Sequence, residues 1–429
     1  MYRLIQNGQL LIDDQLVKRD IAIDEKGRIT AIEAQITPTD EPTETIFDAQ
    51  GALVSAGLID GHVHFRDPGF TDKETLQTGS RAAAHGGYTS VIAMPNLNPV
   101  PDNLSDFKTL VARNQTETSV HTYQFASITG DLVNNDLVDM PAFKAAGAAG
   151  FTNDGHGVQD AQTMYLAMQQ AAAIDAPIVA HVEDISLVNG GVIHDGAAAK
   201  RLNVPGIPSV SESAQVARDI ELARATGVHY HICHISTRET VALVRRAKAD
   251  GVNITCEVTP HHLLLDDRSI ISDDAMLKMN PPLRTLADRQ SLWAGLMDGT
   301  IDVIATDHAP HTAAEKSQSL LQAPFGIVGS ETAFSLLYTH LVVNGPFSLA
   351  QLLAKMTTVP AQVFNLPAAG QLRVGDQADI AVFNLTQPTT IQATDFQSKS
   401  HNTPFIGETV LGGTELTLVA GQVAYQRSK

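Results

Sequence analysis

The 429 residues suffice for one large α/β barrel or for several ordinary domains. With 47 acidic against 29 basic side chains the formal net charge is -18, which excludes the broad basic face that nucleic acid or an anionic membrane surface requires. Small molecules or further copies of the chain remain as partners, and two cysteines, Cys233 and Cys256, are too few for a disulfide framework, so a reducing cytoplasm is expected.

In chain order, the opening "MYRLIQNGQLLIDD" lacks the basic and long apolar stretches of a signal peptide. No apolar run reaches the roughly 18 residues of a membrane span. Short alternating runs follow, "RLIQNGQLLI" and "RDIAIDEKGRITAIEA", with hairpin turns expected at Asn7-Gly8 and Glu25-Lys26-Gly27. From residue 50 to about 365 the rhythm changes, and β-rich runs alternate with alanine-rich segments of helical period. The β runs are "LVSAGLIDGHVHF", "TSVIAMPN", "TYQFASI", "AAGFTND", "APIVAHVE", "VHYHICHIS", "VNITCEVTP" and "IDVIATDHAP". Between them lie "KETLQTGSRAAAHGG", "AQTMYLAMQQAAAID", "ESAQVARDIELARATG" and "RETVALVRRAKADG", several closed by glycine as a helix end should be. Eight alternations predict a (β/α)8 TIM-type barrel over residues 55–365, with its site at the C-terminal strand ends. A doubly wound open sheet is the alternative. Beyond residue 366, "QLRVGDQADIAVFNL" and "TELTLVAGQVAYQ" return to the style of the start. Neither end is large enough alone, so residues 1–54 and 366–429 are expected to pair into one small β-sandwich.

Histidine carries the chemistry. His62 and His64 stand at strand spacing, so both project to one face and can share a metal, although packing histidines have the same spacing. Asp154 closes the fourth β run, His181 the fifth, His234 the sixth and Asp307 the eighth. Four imidazoles and two carboxylates on one rim form the mixed donor set zinc accepts, and six donors exceed the needs of one tetrahedral ion, which predicts two metals sharing a carboxylate. His229 and His231 lie deeper in the sixth run and are expected to be structural. His156, His261 and His262 stand at the rim, where support of the site and solvent exposure are equally open. Cys233 is expected to point away from His234 into the core, and His308 away from Asp307 to support the rim.

Six ordered motifs, "DGHVHFRDPG", "AMPNLNPV", "FTNDGHGVQ", "MNPPLR", "ATDHAPH" and "PFGIVG", together resemble the bacterial dihydroorotases of the amidohydrolase superfamily, in the branch bridged by aspartate. The resemblance implies a zinc barrel that interconverts N-carbamoyl-L-aspartate and L-dihydroorotate in pyrimidine synthesis. It places His62, His64 and Asp307 on one Zn2+, His181 and His234 on the other, and Asp154 between them. A hydroxide held by both ions would attack the ring carbonyl, with Asp307 as general acid/base. For the substrate it implies Arg66, a two-pronged donor, together with His64, Asn96 and His311. Asn280 and the backbone of Phe325 and Gly326 would meet the ring edge. The family commonly has two aspartates where this chain has Asn153-Asp154, a departure expected to alter only the surroundings of the bridge. Residues 312–329 form a long connection expected to close over bound substrate. A homodimer is implied, and association with an aspartate carbamoyltransferase is left open. Two other readings compete: a hydantoinase or allantoinase type, whose rings have less need of Arg66, and a non-catalytic scaffold subunit, which typically loses metal ligands.

Overall fold

The computed structural model describes residues 1–38, 42–366 and 369–428. Eight strands pair in parallel in chain order: β1 (Leu58–Val63), β2 (Tyr88–Ala93), β3 (His121–Ala126), β4 (Ala148–Phe151), β5 (Ile178–Ala180), β6 (Tyr230–Ile232), β7 (Ile254–Val258) and β8 (Val303–Ile304). The ring is nearly closed. Val63 bridges His308 in parallel, and the His64 N–H donates to the His308 carbonyl at 2.9 Å. The strands read as apolar runs because both faces are covered; every residue of β1 and β2 is buried.

One principal helix follows each strand: α1 (Leu76–His85), α2 (Leu104–Glu117), α3 (Met140–Ala145), α4 (Ala161–Ala173), α5 (Val210–Thr226), α6 (Arg238–Ala249), α7 (Leu286–Met297) and α8 (Leu349–Met356). Their limits follow capping chemistry. Thr75 and Thr78 exchange bonds across the start of α1, as Thr285 and Asp288 do at α7, and Gly227 ends α5 at φ 72°. Inside the barrel Ile59, Ile92, Phe125, Val179 and Cys233 form a separate apolar core, with Phe364 and Leu366 packed into it. The side chains above that core are therefore free to be polar.

The chain ends form one mixed eight-stranded sheet. Leu53–Ala56 pairs antiparallel with Ile380–Asn384 and thereby joins the two ends, over a core that includes Ile5, Ile21, Val54, Ile380 and Leu416. The first β run accordingly divides at Gly57: Leu53–Ala56 enters the terminal sheet and Leu58–Val63 the barrel. A Cβ on Gly57 would stand 2.1 Å from Thr89 Oγ1, so only glycine fits where the chain crosses between the sheets. Asn7-Gly8 is not a hairpin turn. Asn7, at φ 56°, makes a bulge inside Leu4–Ile12, with its N–H held by Asp20 Oδ1 at 2.9 Å. The chain reverses instead at Asp13 and Asp14, whose φ values of 48° and 59° suit a tight hairpin. Among the described residues no helix is long and apolar enough to cross a membrane.

Candidate metal centre and substrate site

The strand ends bring all six predicted donors together, each of them buried. His62 Nδ1–H donates to Glu257 Oε1 at 2.7 Å and His64 Nδ1–H to Asn96 Oδ1 at 2.9 Å, which turns both Nε2 lone pairs inward. His64 Nε2 lies 2.9 Å from Asp307 Oδ1, and His62 Nε2 lies 3.4 Å from both Asp307 Oδ1 and Asp154 Oδ1. On its other side Asp154 Oδ1 is 3.8 Å from His181 Nδ1 and 3.7 Å from His234 Nε2. Asp154 thus stands between two donor sets. The ligand atoms of His62, His64 and Asp307 lie within 4.8 Å of one another, as do those of Asp154, His181 and His234.

These residues fit a divalent cation. His62 Nε2 and Asp154 Oδ1 are buried without a hydrogen-bond partner, which is costly unless something else satisfies them. Burial opposes the His62 imidazolium, yet Asp154 first among its neighbours raises that ring well above its ordinary range. The pocket is short of positive charge, and nitrogen and oxygen donors of this kind supply a metal ion's preferred shell.

Backbone strain gathers at the same place. Arg66, His234 and Asp307 have φ of 60°, 31° and 50°, left-handed values that non-glycine residues hold only where the surroundings impose them. The irregularity at His234 corrects one expectation. Strand alternation fails between Cys233 and His234, so the Cys233 thiol, although packed with the inner core, lies within 4.8 Å of the His62 and Asp154 ligand atoms.

Three carboxylates escaped the sequence reading. Glu257 bonds His62 and also lies 3.2 Å from His231 Nε2, so His231 supports the centre through Glu257. Its signal was a lone acid in the apolar run "VNITCEVTP". Glu183, two residues after His181, lies 3.8 Å from His181 Nε2 and accepts from Asn280 Nδ2 at 3.1 Å. Glu74 is buried 3.6 Å from His308 Nε2, and His308 turns away from the centre to accept from the Gly329 and Ser330 N–H groups. Asn153 also turns away: Oδ1 accepts from the Ile128 and Thr129 N–H groups, and Nδ2 donates to Thr129 Oγ1. His262 bridges Thr259 and the Pro281 carbonyl, whereas His261 is buried with Nε2 unpartnered, and burial holds it near a pKa of about 4. His156 is exposed.

Beside the donors, Arg66 Nε donates to the Pro310 carbonyl at 3.3 Å and Nη2 lies 3.5 Å from His311 Nε2. Among the described residues no carboxylate pairs with this guanidinium. His311 Nε2 donates to the Phe325 carbonyl at 2.7 Å, while burial, then Arg66 and two lysines, keeps that imidazole neutral. Asn96 is committed to His64, with Nδ2 at 3.4 Å from Asp154 Oδ2. Gly326 is fully engaged within the protein: its N–H donates to the Lys278 carbonyl, and its carbonyl accepts from Lys316 and Asn402.

A model of the dihydro-orotase-like family matches residues 51–240. The chain is 99% identical over 429 residues to the dihydroorotase of Latilactobacillus sakei subsp. sakei (strain 23K), covering all of both. It is 51% identical over 424 residues to that of Pediococcus pentosaceus and 53% over 425 residues to that of Lactiplantibacillus plantarum, with 99% of each chain covered. Among solved structures, the L-hydantoinase (dihydropyrimidinase) from Arthrobacter aurescens superposes with a TM-score of 0.88 at 26% identity, over 100% of this chain and 97% of that one. The D-hydantoinase (dihydropyrimidinase) from Thermus sp. gives 0.84 at 26%, over 99% and 95%. With dihydroorotases matched from end to end on one side and the same barrel in hydantoinases on the other, this chain belongs to the dihydroorotase family of cyclic amide hydrolases.

Proposed function

We propose that the protein interconverts N-carbamoyl-L-aspartate and L-dihydroorotate, with two Zn2+ ions held by His62, His64 and Asp307 and by His181 and His234, and Asp154 shared between them. The pairing of Asp154 with both donor sets supports the shared role. A metal bound there would bring the pKa of water to about 7 and polarise the reacting carbonyl.

The chain's own residues supply the rest. The Asp307 carboxylate, on the inner face beside His62 and His64, takes the proton of the attacking water and delivers it to the ring nitrogen as the C–N bond breaks. In the reverse direction the same carboxylate receives the nitrogen's proton and returns it to the departing water. Glu257 and Asn96 hold the two imidazoles in the tautomer that keeps Nε2 unprotonated. Arg66 receives the ring carboxylate, with His311 next to it, and Asn280 meets the ring edge from the His181 side. At Phe325 and Gly326 the ring-edge contact falls to Phe325, since both polar groups of Gly326 are already engaged.

One observation carries the choice of substrate: a guanidinium with no carboxylate partner among the described residues stands beside the donor cluster in a chain of net charge -18. A ring bearing a carboxylate completes it, whereas an uncharged hydantoin leaves it unpaired. The test is turnover of L-dihydroorotate against hydantoin and dihydrouracil by the purified protein. Preference for L-dihydroorotate, abolished in Arg66→Ala, supports the reading, and preference for an uncharged ring refutes it. The barrel would carry this chemistry and the sheet built from both chain ends, which takes in Leu53–Ala56, would brace it. Residence in the cytoplasm fits the two free, buried thiols, and a homodimer follows from the family likeness.

A further inference from the structure

Lys278 and Lys316 are each only 3% exposed. A buried ammonium needs a replacement for water, yet among the described residues neither makes an ion pair. Main-chain carbonyls serve instead. Lys278 Nζ donates to the carbonyls of Leu320 and Ala323, both at 2.6 Å, and stands 4.4 Å from the centre of the Phe325 ring. Lys316 Nζ donates to the carbonyls of Lys278 at 3.2 Å, Pro324 at 3.1 Å and Gly326 at 2.9 Å. The Gly326 N–H closes the lattice on the Lys278 carbonyl at 3.0 Å. Phe325 lies at its centre, with its ring under one ammonium and its carbonyl on His311, the neighbour of Arg66.

We propose that Lys278 and Lys316 are positioning residues that lock the 312–329 connection as a fixed wall of the substrate site, with His311 and Phe325 already in register with Arg66 before substrate arrives. This replaces the closing motion expected of so long a connection. Opening the connection as a lid would strip the Leu320 and Ala323 carbonyls from the buried Lys278 ammonium and part the Lys278 carbonyl from Lys316 Nζ and the Gly326 N–H, and bonds to charged donors are the stronger kind. Burial, and then the neighbouring Lys278, lowers Lys316 to about 7, as expected for a cation enclosed with another and only distantly offset by Asp274 and Glu315. The effect on catalysis rests on the reading above, in which this wall touches substrate.

Hydrogen exchange of the metal-loaded protein, followed over residues 318–327 with and without L-dihydroorotate, tests it beside the kinetics of Lys278→Met and Lys316→Met. A fixed wall predicts slow exchange in the free protein that substrate changes by less than about threefold. Each variant then exchanges there at least about tenfold faster and raises KM about tenfold, the order set by losing a bond to a charged group, while kcat and metal content hold. Fast exchange in the free wild type that slows on binding would overturn the proposal, as would a loosened variant with unchanged KM. Should both variants fail to fold, the wild-type comparison decides. Should the wild type not turn over L-dihydroorotate, the functional reading falls, while exchange in the free protein still decides whether the connection is fixed.

Discussion

The floor of the site and its wall are held by opposite means. On the floor, side chains from separate strand ends meet, and His62, His64 and His181 each have one further carboxylate or amide beside them, in Glu257, Asn96 and Glu183. In the wall, the main chain itself is gripped, by two lysines buried among its carbonyls. Chemistry that depends on donor identity sits on rigid strands, whereas shape is set where a long connection would otherwise be loose.

Substitutions can break that contrast, beginning where the floor is most exposed to loss. Asp307→Asn removes the negative charge of a proposed metal donor and proton carrier, and kcat should fall by about 10³ or more with the fold intact by circular dichroism. Arg66→Ala, at the seam of floor and wall, should lower kcat/KM for L-dihydroorotate by roughly a hundredfold while leaving metal content unchanged. Glu257→Gln should weaken metal binding by roughly 10–100-fold in competition with a chelator, since His62 loses its charged acceptor. A retained affinity would mean that the floor does not depend on its supports.

The wall has its own pH signature. Burial, and then Lys278, lowers Lys316 to about 7 in the folded protein, against the ordinary lysine value of 10.5. Between those values the unfolded chain keeps a proton that the folded chain has released, so stability rises with pH, by at most about 1.4 kcal/mol per unit. Denaturant titrations of the metal-loaded protein at pH 7, 8 and 9 should show that rise in the wild type and a shallower one in Lys316→Met. The smallest effect is expected from Asn153→Asp. Its side chain serves residues 128 and 129 rather than the donors, so metal content should not change and stability should shift by about 1 kcal/mol or less.

The same contrast explains what the sequence disclosed. Strand period put His62 and His64 on one face, and run endings put Asp154, His181, His234 and Asp307 on the rim, because a barrel converts position along a strand into depth. Glu257 was hidden because its partner His62 is 195 positions away and only strand register reveals it. Cys233 packs in the core as expected, but its closeness to the donors was missed because alternation fails where His234 turns left-handed. Asn7-Gly8 satisfied a bulge as readily as a turn, since both accept positive φ. The wall was least legible: a lysine's letter does not say that carbonyls will enclose it.

The central claim is that these six buried donors hold metal for dihydroorotate chemistry, and metal analysis coupled to turnover tests it most directly. Purified protein should carry about two divalent ions per chain, lose L-dihydroorotate hydrolysis on chelation, and regain it in step with the metal restored. Undiminished hydrolysis after complete metal removal, or none with both donor sets filled, would contradict the account.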